Sequence, residues 1–123
     1  MHYGMIMIEF IRNVSTTIKK QYYSINNQTE EILTKEKSGL IFMTAHIGNW
    51  EMLIPIISQY KKMAAIVRTQ NNSSGDKFFY KARNYNNVEI ISKKGSKKKM
   101  LKSLYNNSVL TLATDQNAKN KGI

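Results

Sequence analysis

The sequence predicts an α/β fold, a mostly parallel sheet flanked by helices. Three observations predict it. Short apolar runs of strand length recur along the chain, and segments with helical spacing of apolar residues lie between them. The first run, Leu40-Ile41-Phe42-Met43-Thr44-Ala45, is apolar almost throughout rather than alternating, as in a strand covered on both faces. Strand and helix then alternate, so right-handed crossovers are expected.

Each element has its own signal. Ile6, Phe10, Val14, Ile18 and Tyr22 recur at helical spacing and predict one helix over 5–24, broken at Asn26-Asn27. A short helix over 29–37 is expected to bury Ile32 and Leu33, and Ser38-Gly39 ends it. After the first strand comes a helix over 50–60. Asn49 is its expected N-cap, Glu51 suits its first turn, and Pro55 is placed to kink or divide it. A strand over 64–67 and a polar loop over 71–75 follow. A helix over 76–85 comes next, with Phe79 and Ala82-Arg83 on different faces. Asn86-Asn87 marks a turn into a strand over 88–91. A helix over 96–105, a turn at Asn106-Asn107 and a strand over 109–113 complete the pattern. The whole chain, 1–123, reads as a single domain, with N-terminal helices over 1–37 and a βα core over 38–123. The Asn-Asn pairs and the lysine excess read as compositional bias. The polar end over 115–123 reads as an unfinished fold, incomplete at both ends.

Composition removes several classes of function. Of 123 residues, 41% are hydrophobic and 22% charged, as in a globular domain rather than a disordered chain. The absence of cysteine excludes disulfides, cysteine nucleophiles and thiolate zinc sites. The two histidines, His2 and His46, are too few and too far apart in sequence for a metal cage. The net charge of +11 favours anions: nucleic acid, an acidic protein or an anionic membrane. It is equally compatible with a solvated lysine-rich surface. No segment offers the roughly 20 apolar residues of a bilayer span, and no signal-peptide pattern is visible. The chain therefore reads as cytoplasmic or peripheral. There is no Gly-x4-Gly-Lys-Ser/Thr loop and no Gly-x-Gly-x2-Gly turn, which disfavours nucleotide enzymes.

The chemistry concentrates in Thr44-Ala45-His46-Ile47-Gly48-Asn49-Trp50-Glu51. This string puts a histidine at the C-terminal end of a strand, the edge at which open α/β sheets bind ligands. It puts a carboxylate five residues on, within reach of the imidazole across a turn. A histidine with a carboxylate partner is a general base of fixed tautomer and stabilised imidazolium. Gly48 allows a tight backbone. A strand-end histidine bonded to a nearby carbonyl is the plainer alternative.

The full string, His46-Ile47-Gly48-Asn49-Trp50-Glu51, resembles the His-x4-acid motif of the bacterial lipid A biosynthesis acyltransferases, the late lauroyl and myristoyl transferases. Val67-Arg68 with Asn71-Asn72, Arg83, the stretch ending Ser92-Lys93-Lys94-Gly95, and Asp115-Gln116 are similar to later segments of that family, in the same order. The resemblance implies a fold related to the glycerol-3-phosphate acyltransferases. It implies transfer of a fatty acyl group from acyl carrier protein to a hydroxyl of a lipid A precursor, at the cytoplasmic face of the inner membrane. It further implies His46 as base, Glu51 as its orienting acid, no covalent acyl-enzyme, no cofactor and no metal. Arg68, Asn72, Arg83, Asp115 and Gln116 become candidates for holding the acceptor or the developing oxyanion, since guanidinium groups suit phosphate. Asp115 is placed to hold Arg68 or the acceptor, and a loop-opening role suits it equally. Gly48, Asn49 and Trp50 shape the site, Trp50 by packing beneath it and Asn49 as a cap. Relatives in the family begin with a membrane-anchoring helix and continue past the Asp-Gln pair.

Lys93, Lys94, Lys97, Lys98 and Lys99 form the densest basic run, suited to acidic carrier protein, to anionic lipid, or simply to solvent. Three other functions stay open: an inactive remnant of such an enzyme, an acyltransferase for another bacterial lipid, and, least favoured, a nucleic-acid-binding module. The last lacks aromatic residues interleaved with basic ones on a sheet, and lacks a recognition-helix motif.

Overall fold

The structure, a computed structural model, describes residues 2–12, 19, 22–67 and 73–115. In chain order the elements are α1 (His2–Arg12), α2 (Asn27–Lys35), β1 (Leu40–Thr44), a 3₁₀ turn (Trp50–Met52), α3 (Leu53–Ile57), β2 (Met63–Val67), α4 (Ser73–Ala82), β3 (Val88–Ser92), α5 (Lys97–Tyr105) and β4 (Val109–Ala113). The four strands form one sheet in the order β1-β4-β2-β3, and every pairing is parallel. The expected α/β architecture is therefore the one observed.

The sheet has two layers of cover. Leu40 and Phe42 of β1, Met63 of β2 and Val109 of β4 point to the side where Leu33 of α2 and Leu53, Ile54 and Ile57 around α3 pack on them. Ala64, Ile66, Ile91, Leu110 and Leu112 point the other way, onto Met100 and Leu104 of α5. The alternation of side chains along each strand separates the two sets.

Several local expectations are corrected. Of the helix expected over 5–24, the described residues show α1 up to Arg12 and a non-helical stretch over 23–26, while Val14 and Ile18 lie outside the described residues. Asn26 starts the next helix instead of ending the previous one: its side chain accepts from the Thr29 N–H at 2.8 Å, which requires the extended backbone seen there. Leu33 is buried as expected, but Ile32, one position round the helix, is exposed. β1 is not covered on both faces. It is an edge strand, and Ile41 and Met43 are 59% and 68% exposed on the side facing away from α2 and α3.

The helix expected over 50–60 divides into the 3₁₀ turn and α3. The division falls before Pro55, which sits in the first turn of α3 where a missing N–H breaks no helical bond. Asn49 makes no side-chain cap bond there. Residues 73–75, expected in a loop, open α4, and Tyr85, expected to end that helix, lies beyond it.

The Asn-Asn pairs have a structural role beyond composition. Asn87 and Asn107 adopt left-handed backbone, φ 64° and 58°. At the end of α5 the Asn107 N–H donates to Leu104 O at 3.0 Å and the Ser108 N–H to Ser103 O at 3.0 Å. This paired closure ends a helix on one left-handed residue, and Asn tolerates that conformation better than any other non-glycine residue. Replacing Asn107 with Ala is expected to cost about 1 kcal/mol in chemical denaturation, whereas Asn107→Gly leaves stability unchanged or raises it.

Candidate active site

The register of the sheet builds the site. Thr44 of β1 stands opposite Ala113 of β4, and Thr114 N–H continues the ladder to Thr44 O at 3.0 Å. His46 and Asp115 each lie two residues past the matched pair, so parallel strands bring them out side by side at the C-terminal edge. The His46 backbone N–H donates to Asp115 Oδ2 at 3.0 Å, and His46 Nδ1 lies 2.8 Å from Asp115 Oδ1. These hydrogen bonds from the His46 backbone and ring hold the Asp115 carboxyl below the usual carboxylate range. An ionised carboxylate only accepts, so Nδ1 donates to it, and in the neutral ring the lone pair is on Nε2.

Glu51, the carboxylate expected on His46, points elsewhere. It is buried in the 3₁₀ turn and receives the guanidinium of Arg83 bidentately: Nε to Oε2 at 3.1 Å and Nη2 to Oε1 at 2.5 Å. The Arg83 guanidinium also lies over the Phe79 ring, 5.3 Å from its centroid. Phe79 and Arg83 thus share one side of the helix end, contrary to the expected separation. Arg83, expected on acceptor phosphate or oxyanion, has its fork engaged by Glu51. Tyr85 is buried close by, and burial followed by the Glu51 charge raises its pKa above the ordinary value.

His46, Glu51 and Arg83 line one cavity of about 120 Å³. Its other walls include Trp50, Leu53, Ile54, Ala65, Thr44, Thr111 and Ala113. The Trp50 ring meets the His46 ring edge-on at 5.1 Å. Gly48 has φ +60°, a conformation that other residues rarely adopt, so the turn between His46 and the 3₁₀ segment needs it. Thr111 was not singled out by sequence. Its Oγ is buried with no hydrogen-bond partner among the described residues. The available signal was a polar residue on the core-facing side of an otherwise apolar strand. Arg68, Asn72 and Gln116 lie outside the described residues. Among the described residues, no group of three or more His, Asp or Glu side chains is placed to hold a metal ion.

The structure is a parallel α/β sheet with a carboxylate-paired histidine at its C-terminal edge. The family model of the bacterial lipid A biosynthesis acyltransferases matches residues 1–123, the whole chain. The chain belongs to that family, and its general type is thus an acyltransferase. A search of curated proteins finds no match.

Removing Arg83 strands a buried carboxylate. Arg83→Met is expected to cost about 3 kcal/mol in denaturant titration, and adding Glu51→Gln to it restores part of that loss. The Asp115 pKa is lowered on folding, so its contribution is present above the usual Asp range and lost as pH falls through the lowered value. The stability gap between the parent and Asp115→Asn is therefore expected to narrow as thermal melts move from neutral to acidic pH.

Proposed function

We propose that this protein transfers a fatty acyl group from acyl carrier protein to a hydroxyl of a lipid A precursor, with His46 as general base. The observation that carries the reading is the His46 Nδ1–Asp115 pair at 2.8 Å beside the cavity. The acceptor hydroxyl donates its proton to His46 Nε2 while its oxygen attacks the thioester carbonyl carbon. The tetrahedral intermediate collapses, the C–S bond breaks, and the imidazolium returns the proton to the leaving sulfur. The products are an ester and a free thiol, with no acyl-enzyme, cofactor or metal required. Asp115 fixes the tautomer and stabilises the imidazolium.

Glu51 acts through Arg83 in this reading. The pair braces the 3₁₀ turn and the end of α4 against each other behind the histidine. Arg68, Asn72 and Gln116 are proposed to hold the acceptor or the oxyanion. Work at the cytoplasmic face of the inner membrane, against anionic lipid, fits the basic charge and a lipid acceptor. Among the described residues no helix is long and apolar enough to cross a membrane.

The test is transfer from acyl-loaded carrier protein to a lipid A precursor, followed by mass spectrometry of the acceptor. The expected result is a gain of one acyl group that disappears in His46→Ala. Asp115→Asn is expected to lower the rate by about 10²- to 10⁴-fold. Full activity in His46→Ala sinks the general-base reading.

A further inference from the structure

The outward side of α5 combines two features that stability alone does not favour. Lys97, Lys98 and Lys99 occupy its first turn, directly after Lys93 and Lys94, and the turn contains no acidic residue. Helix N-termini carry partial positive charge and favour carboxylates, so this arrangement repels itself. Among the described residues none of these lysines pairs with a carboxylate. On the same helix Leu101 and Tyr105 are 58% and 86% exposed, and with Leu104 they line a shallow apolar hollow. Lys98 and Lys102 share the outward side with these two residues by helical spacing. Ile41 and Met43, also exposed, lie on the sheet face that α5 covers in part.

We propose that α5 is the surface by which this protein rests on an anionic lipid bilayer, with Lys98 and Lys102 at the headgroups and Leu101 and Tyr105 entering the interface. Basic residues interspersed with exposed Leu and Tyr are the composition of an interfacial helix. Lysine stems lie along apolar surface while their ammonium groups reach phosphate. A partner recognised by charge alone leaves Leu101 and Tyr105 unexplained. The geometry also suits the chemistry. The basic end of α5 follows β3 at the sheet edge that carries His46 and Asp115, so the bilayer lies alongside the reactive edge. The inference rests on the reading of a membrane-borne lipid acceptor and names the surface that meets that membrane.

Flotation of the full chain with vesicles tests it. The chain is expected to float with vesicles of mixed phosphatidylcholine and phosphatidylglycerol, not with phosphatidylcholine alone, and less as salt rises. Lys98→Glu with Lys102→Glu is expected to weaken partitioning by roughly 30-fold or more. Leu101→Ser with Tyr105→Ser weakens it while keeping the salt dependence. Lys35→Glu with Lys37→Glu, the same charge change at and just beyond the end of α2, leaves it unchanged, and circular dichroism confirms that each variant folds. Absence of flotation, parental flotation by the α5 variants, or equal loss in the α2 control overturns the proposal. Intact flotation by the lysine variant with slower transfer from carrier protein assigns α5 to the acidic donor instead. Flotation reads no chemistry: binding without transfer sinks the functional reading alone, and transfer to detergent-dispersed acceptor without binding sinks this one alone.

Discussion

The parallel pairing of β1 with β4 is the constraint on which the site depends. In a parallel ladder, residues at equal distance beyond a matched pair emerge together from the same sheet edge. Thr44 opposite Ala113 therefore places His46 beside Asp115 without any further contact between their loops. A slip of one residue would turn one of the two partners to the other face. The slip is opposed by the core itself, because either Leu40 and Phe42 of β1 or Val109 of β4 would then leave the cluster beneath α2 and α3.

Two carboxylates near one histidine divide the work according to what each faces. Asp115 is partly exposed and meets His46 through both oxygens, so it supplies charge and orientation. Glu51 is buried and meets a fixed guanidinium, so its charge is neutralised within the protein. A buried carboxylate without such a partner would take up a proton or destabilise the fold. The Arg83–Glu51 pair also links elements that share no strand pairing, the turn before α3 and the end of α4.

Much of this was legible in the sequence, for identifiable reasons. The strands are short apolar runs, and β4 is observed with the predicted bounds because turn residues flank it on one side and polar residues on the other. The string from His46 to Glu51 located the site because it joins a strand end, a glycine turn and a carboxylate. What the string could not reveal is which acid faces the ring. Glu51 is near in sequence, whereas Asp115 is 69 positions away and becomes a neighbour only through sheet order. Strand order is a tertiary property, invisible to local pattern. The bare side of β1 was missed for the same reason, since an apolar run does not say whether its strand is central or at an edge. The left-handed asparagines were hidden differently: a residue common throughout the chain carries little signal until its backbone angle is known.

The pairing of β1 with β4 also sets an order of events during synthesis. His46 leaves the ribosome long before the strand that will orient it. The helices and the β2–β3 pair close contacts over shorter spans of chain, whereas the β1–β4 contact must close a long loop. Until β4 inserts between β1 and β2, His46 has no Asp115 beside it, and the edges of both neighbouring strands are open. A nascent chain therefore has no carboxylate-paired His46. Acquisition of the His46–Asp115 pair coincides with closure of the sheet.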